Sequence, residues 1–456
     1  MASTTTRILD YTPFLSLVSR LRKPSPIRAL MPIMSLPGMI SLAGGLPNAS
    51  TFPFQSINVE LKSTTTTTPT TLTVDGQLLA DSLQYHPSQG LPQLTKWLRE
   101  HQRKTHSLIE DEKKEAWDVI LTTGSQDGLT KAFEMFLNPY CVQEHALKQS
   151  SETLNEDDNI RDAIIIERPT YSGSLSTLFT LQPHMIEVDV DQFGLIPEQL
   201  EESIQEFKKE HPKTMIKFLY TIPNGQNPSG CSLTLERKKK IYALSQKYNF
   251  LILEDDPYYY LALDNPSEPV PSFLSIDTDG RVLRFDSLSK VLSSGIRCGF
   301  VTGPIQLINQ MVLHIQASNL HSCGLSQGIV YALLSQWGEE GFAQHVKHVQ
   351  KFYTSKRNDL IECIDRHLKD YVEYSIPVCG MFVWMKLKGI SDSLKFIEQK
   401  ARQQNVLMLP GTYFYPTKGS ATPYVRASFS IASKEQMDEA CRRLAILIKE
   451  ELAQQQ

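Results

Sequence analysis

An α/β fold is predicted, with a large domain on a mainly parallel sheet flanked by helices and a smaller α+β domain after it. Three observations predict it. First, short and nearly continuous apolar runs recur at residues 163–167 (AIIIE), 217–222 (KFLYTI), 250–254 (FLILE), 282–285 (VLRF) and 299–302 (GFVT). Strands covered on both faces read this way because neither face meets water. Second, residues 234–248 carry Ile241, Leu244 and Tyr248 at i, i+3 and i+7, between two of those runs. Strand, helix and strand in that order make a βαβ unit and hence parallel pairing. Third, the chain changes character near residue 340. Ser433 and Gln436 form a capping box ahead of an apolar stripe, Met437, Cys441, Leu444 and Ile448, which predicts a terminal helix. Residues 371–387 and 406–409 read as strands of the smaller domain. The expected division is an arm at 1–55, a large domain at 56–340 and a small domain at 341–456.

Composition narrows the function classes. The chain has 456 residues, 41% hydrophobic and 21% charged, enough apolar content for a substantial core. A net charge of −4 gives no global attraction to nucleic acid or to an anionic membrane, and neither is expected as a partner. No run of about 18 apolar residues suggests a membrane span. Seven cysteines, at 141, 231, 298, 323, 363, 379 and 441, include no C-x-x-C pair. That spacing speaks against a disulfide framework and a structural zinc site, so no metal is expected and a reducing, cytoplasmic location is. The first 23 residues set Arg7, Arg20, Arg22 and Lys23 against Asp10. They read as an N-terminal arm or as a weak presequence for the mitochondrial matrix. The basic run 237–240 reads as a solvated helix face, and 63–73 and 144–158 as exposed loops. Neither a Gly-x-Gly-x-x-Gly after a strand nor a Walker-type loop is present.

The sharpest chemical segment is DSLSKVLSSGIR, residues 286–297. Lys290 follows a strand and is flanked by small hydroxyl residues, an unusual place for a solvated amine. A partly desolvated lysine has a lowered pKa and forms Schiff bases. Ser287, Ser289 and Arg297 offer donors to a phosphate beside it. A surface turn rich in serine is the plain alternative. Asp255 directly follows the FLILE run, where side chains of an open α/β sheet meet ligands, and Tyr258 follows three residues on. A strand-end turn capped by aspartate is the alternative there. Asn227 lies in PNGQNPSG after another strand end, a segment that also reads as a simple turn. Ser125 and Gln126 begin a helix after the strand 119–121, a place for an anion or merely for an N-cap. Tyr171 follows AIIIE and either stacks on a ring or packs in the core. Arg426 alternates within the strand-like run YVRASFS, a costly site for a charge unless a carboxylate meets it. That carboxylate belongs either to a ligand or to a structural salt bridge.

Taken in order, these segments resemble the class I/II aminotransferases, pyridoxal 5'-phosphate (PLP) enzymes of fold type I. The resemblance runs from about Pro24 to Ile448. It is finest with the α-aminoadipate/kynurenine aminotransferases and the fungal aromatic aminotransferases, through PSPIRAL (24–30), ISLAGGLPNASTFPF (40–54), LQYHPSQG (83–90), EDDPYYYL (254–261), QWGEEGF (336–342) and GMFVWMKLKG (380–389). It implies that Lys290 carries PLP as a Schiff base and then moves the α-proton, with pyridoxamine phosphate as the intermediate form. It implies that Asp255 pairs with the ring nitrogen, that Asn227 and Tyr258 bind the ring hydroxyl, and that Tyr171 stacks on the ring. Ser125, Gln126, Ser287, Ser289 and Arg297 would grip the phosphate, with Tyr85 reaching that of the neighbouring subunit in a homodimer with shared sites. Arg426 would clamp the substrate α-carboxylate, Gly45 and Leu46 would close over substrate, and Arg28 would meet its distal end. The chain departs from the family pattern at Asp127 and at Cys323-Gly324.

The implied reaction moves an amino group from 2-aminoadipate, kynurenine or an aromatic amino acid to a 2-oxo acid, 2-oxoglutarate foremost. The alternatives are a PLP-dependent β-lyase acting on cysteine conjugates and an inactive interaction protein on the same fold. A transcription regulator with an aminotransferase-like domain would need a DNA-binding domain ahead of residue 24, where no room is seen.

Overall fold

The computed structural model describes residues 7–26, 33, 36–40, 42–43, 45–62, 71–108, 116–140, 161–264, 270–417 and 419–454. The strands in chain order are β1 (Ile57–Glu60), β2 (Thr71–Val74), β3 (Trp117–Thr122), β4 (Ala163–Arg168), β5 (His184–Asp191), β6 (Gly194–Leu195) and β7 (Ile216–Thr221). They continue as β8 (Leu251–Asp255), β9 (Val282–Ser287), β10 (Gly299–Pro304), β11 (Val372–Tyr374), β12 (Phe382–Leu387), β13 (Leu409–Pro410) and β14 (Tyr424–Ser428). Two compact units form, Met1–Pro139 with Phe273–His345, and Tyr140–Ser272 with Val346–Gln456.

In the first unit β10 runs antiparallel between β3 and β9. Every residue of β9 and β10 is buried, and the two charges within β9, Arg284 and Asp286, pair with each other at 2.9 Å. The expected loop at 63–73 is corrected at its end: residues 71–73 belong to β2, which pairs antiparallel with β1. Its alternating threonines suit a half-exposed strand. The rest of that loop, and the one expected at 144–158, lie outside the described residues. Gly324 and Gly328 sit one helical turn apart, where a Cβ would fall 2.2 Å from Ser82 O and 2.2 Å from Ser82 Oγ, respectively. Glycine there lets the helix that begins at Gly324 meet the helix Gly76–Leu83 at close range. The N-terminal segment is structural. Tyr11, Phe14 and Leu15 are buried, the Tyr11 hydroxyl donates to Gly280 O at 2.6 Å, and Ile8 N donates to Asp279 O at 2.8 Å.

In the second unit β8, β7, β4 and β5 pair in parallel, and the short β6 turns back antiparallel on β5. The helix Leu235–Tyr248 connects β7 to β8 as the βαβ pattern predicts, with Thr234 Oγ1 capping Arg237 N at 3.3 Å. Its basic run is solvated only in part: Lys239 and Lys240 are exposed, as expected, while Arg237 and Lys238 turn inward. Arg237 forks onto Asp191 at 2.6 and 2.7 Å, Lys240 meets Glu198 at 3.1 Å, and the buried Lys238 donates to Pro271 O at 2.9 Å. A small antiparallel sheet follows in the order β11-β12-β14-β13. The run 371–387 is two strands rather than one, and the strand expected at 406–409 starts only at Leu409. The terminal helix Lys434–Gln454 begins at the reciprocal cap foreseen, with Ser433 N to Gln436 Oε1 at 2.9 Å and Gln436 N to Ser433 Oγ at 3.3 Å. Met437, Cys441, Leu444 and Ile448 are all buried. The three larger side chains contribute about 1.5–3 kcal/mol each. The described cysteines are all free thiols, and no helix among the described residues is long and apolar enough to cross a membrane.

Candidate active site

The first unit carries Gly45, Leu46, Tyr85, Ser125, Gln126, Ser287, Ser289, Lys290 and Arg297. β3 ends at Thr122, and the helix Ser125–Phe136 starts after Gly124, whose φ is +80° and which leaves the helix with no side-chain cap. The first-turn N–H groups of such a helix suit an anion. Asp127 accepts from Thr123 N at 3.0 Å and pairs with Lys131, so this departure from the family pattern braces the turn. Arg297, at φ +51°, donates to Thr123 O at 3.1 Å and to Ser294 O at 3.1 Å. Two glycines make the approach feasible. A Cβ on Gly124 would fall 2.4 Å from Arg297 Nη2, and one on Gly299 would fall 2.7 Å from Gly124 C and Ser125 N. The result is a cradle with a helix N-terminus and a guanidinium at one place, suited to a phosphate.

Lys290 sits in the turn directly after β9, half-buried. The turn is closed by Leu288 N to Cys298 O at 3.1 Å and Leu292 N to Leu288 O at 2.8 Å. Ser287 Oγ accepts from Ser289 N at 3.2 Å, and the His345 ring donates to Val291 O at 2.7 Å. Tyr85 is exposed, with its ring edge-on to His321 at 6.0 Å. Gly45 and Leu46 are exposed as well, and Arg28 lies outside the described residues.

The second unit brings together Tyr171, Asn227, Asp255, Tyr258 and Arg426. Asp255 ends β8 with its carboxylate buried, accepting from the Tyr220 hydroxyl at 2.7 Å. The next residue, Asp256, is also buried and accepts from Asn224 Nδ2 at 2.7 Å. Tyr171 precedes the helix Ser172–Leu181, and its ring lies where a Cβ on Gly173 would be, 2.4–2.6 Å away. Burial raises the Tyr171 phenol above its ordinary pKa, the negative charge of Asp255 adds to this, and Arg426 opposes it. Tyr258, buried beside Phe382, is raised by burial first and Asp255 second, again against Arg426. The carboxylate and the guanidinium therefore act on both phenols at once, so the four groups converge.

Arg426 on β14 lies over the rings of Phe382 and Phe414, at 4.1 and 5.1 Å, and donates from Nη1 to Asn227 Oδ1 at 2.7 Å. Its Nε is buried without a hydrogen-bond partner, and burial holds the guanidinium below its ordinary pKa. No carboxylate among the described residues pairs with it, as a structural salt bridge would require. A cation kept in such a place suits a carboxylate ligand. Tyr220 and Glu167 were not foreseen as part of this region. A tyrosine within the apolar run KFLYTI and a glutamate closing AIIIE were the available signals, since buried polar side chains in a parallel sheet need partners.

The first unit thus offers a phosphate cradle and a lysine, and the second a carboxylate, two phenols and a guanidinium that meets no carboxylate among the described residues. Comparison with known proteins defines the family. The class I and II aminotransferase family matches residues 79–444. The mitochondrial kynurenine/α-aminoadipate aminotransferase of Bos taurus is 44% identical over 453 residues, covering 97% of this chain and 100% of its own length. Aminotransferase Aro8 of Candida albicans superposes with a TM-score of 0.83 at 28% identity, over 98% of this chain and 100% of that one. The kynurenine aminotransferase of Pyrococcus horikoshii, solved with pyridoxamine phosphate, kynurenine and kynurenic acid (KYA), does so at 0.72 and 26%, over 97% and 98%. The chain belongs to the class I and II aminotransferases, and its α/β fold is theirs.

Proposed function

We propose that this aminotransferase uses PLP to move the amino group of 2-aminoadipate, kynurenine or an aromatic amino acid to a 2-oxo acid, with 2-oxoglutarate as acceptor. The observation that carries the reading is Arg426, a buried guanidinium oriented by Asn227 and lacking a carboxylate among the described residues. The names of the bovine and archaeal relatives support the donor class, and the ligands of the archaeal structure support the cofactor. Neither a β-lyase nor an inactive scaffold gains support from the comparisons.

PLP, when bound, supplies an aldehyde for the amino group and a ring that draws electrons from the substrate α-carbon. Ser125, Gln126, Ser287, Ser289 and Arg297 would hold its phosphate. Asp255 would keep a proton on the ring nitrogen, Asn227 and Tyr258 would bind the ring hydroxyl, and Tyr171 would cover one face. Lys290 Nζ would take the covalent attachment and move the proton at Cα. Arg426 would fix the α-carboxylate, a bidentate pairing that orients the Cα–H bond better than a lysine could. Gly45, Leu46 and Arg28 would serve the closing arm and the distal end of the substrate. In this reading the chain divides functionally into an arm (1–55), a PLP-binding domain (56–340) and a small domain (341–456). A homodimer with shared sites fits the exposed Tyr85 and the exposed Ile40 and Leu42, which are 90% and 99% accessible. The mitochondrial names of the 43–44% identical relatives support a matrix location.

The purified protein should show a visible cofactor band that bleaches with L-2-aminoadipate alone and returns with 2-oxoglutarate. No band after reconstitution with PLP would overturn the cofactor assignment. A band that persists with 2-aminoadipate, kynurenine and aromatic donors alike would overturn the substrate class. The phosphate cradle has its own test. In Gly299→Ala the added carbon meets backbone 2.7 Å away. Forced shifts of this kind cost about 1–3 kcal/mol, so PLP affinity should fall roughly 5- to 150-fold in a fluorescence titration.

A further inference from the structure

The last buried residue of β4 is Glu167, which is 1% exposed. Its Oε1 accepts from Thr221 Oγ1 at 2.5 Å, and its Oε2 accepts from Ile222 N at 3.2 Å and Gln226 Nε2 at 3.1 Å. Gln226 Nε2 also donates to Pro169 O at 2.7 Å, while Gln226 Oε1 accepts from Ser229 N at 2.8 Å and Ser229 Oγ at 2.6 Å. One buried carboxyl thus ties together the segment leaving β4 and the segment leaving β7. Tyr171 lies two residues beyond Pro169, and Asn227 directly follows Gln226. Asn227 is in turn the partner of Arg426 at 2.7 Å.

No cation among the described residues pairs with Glu167, and burial pushes its carboxyl up to about 7. The titratable side chain beside it is the Cys231 thiol, itself pushed up to about 12 by burial and then by Glu167. The other residues of β4 from Ala163 to Ile166 are apolar and buried. A carboxyl at this point is therefore not what strand burial asks for, and leaving it in the interior costs free energy. Its use lies in the two segments it joins.

We propose that Glu167 is a positioning residue that holds the Tyr171 segment against the Asn227 segment, so that the aromatic face and the Asn227–Arg426 carboxylate site meet one amino acid in register. The proposal rests on the reading in which Tyr171 and Asn227 contact cofactor and substrate. Glutamine at 167 can keep every link: its oxygen accepts from Ile222 N and Gln226 Nε2, and its amide donates to Thr221 Oγ1. Alanine removes them all, and aspartate is too short by one methylene to reach both segments.

The test compares Glu167→Ala, Glu167→Asp and Glu167→Gln with the wild type. Three quantities are read: KM and kcat for the amino donor, and the dissociation constant of pyridoxamine phosphate from fluorescence titration of the apoprotein. Displacements of this kind cost up to about a hundredfold. Glu167→Ala should raise KM and the dissociation constant roughly tenfold or more, with kcat changed less. Glu167→Asp should move the same way, and stands in if the alanine variant does not fold. Glu167→Gln should stay within about threefold of the wild type. Wild-type values of both constants in a folded alanine or aspartate variant would overturn the proposal, as would a glutamine variant as damaged as the alanine one. A wild-type protein that fails to bind pyridoxamine phosphate would instead refute the functional reading beneath it.

Discussion

Lys290→Ala is expected to lose turnover by at least about 10⁴-fold while folding normally. A positioned general acid–base group alone contributes about 10²–10⁴-fold, and in the proposed chemistry Lys290 is also the point of covalent attachment. Folding should survive because the turn is shaped by backbone contacts. Leu288 N, Leu292 N and Val291 O make those contacts with Cys298 O, Leu288 O and the His345 ring. Alanine at 290 leaves all three in place. Single-turnover transfer from a labelled donor and the thermal midpoint are the two measurements. Full activity in a folded Lys290→Ala protein would remove the mechanism.

Arg426→Ala should show an unusual combination. Removing one partner of a buried, hydrogen-bonded charge pair costs about 2–5 kcal/mol, so kcat/KM for every α-amino acid should fall roughly 30- to 5,000-fold. Stability should fall little or rise. In the protein without substrate the guanidinium has no carboxylate among the described residues, its Nε has no hydrogen-bond partner, and burial works against its charge. The contacts with Phe382, Phe414 and Asn227 offset part of that cost. A structural salt bridge would behave oppositely, with its loss destabilising by several kcal/mol. Urea unfolding alongside kinetics separates the two. A large drop in stability with kcat/KM intact would show that Arg426 holds the fold rather than the substrate.

Much of this architecture was legible in the sequence because its signals are local. The apolar runs marked β4, β7, β8, β9 and β10 to within a few residues, and the Ser433–Gln436 pair marked the start of the terminal helix. What was not legible depends on contacts distant in sequence. The direction of β10 is set by its neighbours. Neither the antiparallel hairpin of β1 and β2 nor the split of 371–387 follows from periodicity, since short strands carry little of it. At the site, Lys290, Asp255 and Arg426 stood out because charge beside apolar strands is conspicuous. Tyr220 and Glu167 did not, because a polar residue inside an apolar run shows its purpose only when the partner strand is seen. The glycine requirements at 124, 173 and 299 are likewise consequences of three-dimensional approach rather than of any local pattern.

The segment that carries Asn227 is pressed against the small sheet. A Cβ on Gly225 would fall 2.7 Å from the backbone at Cys379 and Gly380, and one on Gly230 would fall 2.7 Å from Phe382 O. Asn227 and Arg426 are thus fixed to one another through backbone as well as through their own hydrogen bond. If Arg426 takes the substrate carboxylate as proposed, an arriving amino acid would find that site already assembled, and little conformational entropy would be lost in organising it. The head group shared by all amino acids would then be read by the second unit. Selection among side chains must then come from residues that do not belong to this assembly. Those residues can vary from one relative to the next without disturbing the recognition of the amino acid itself.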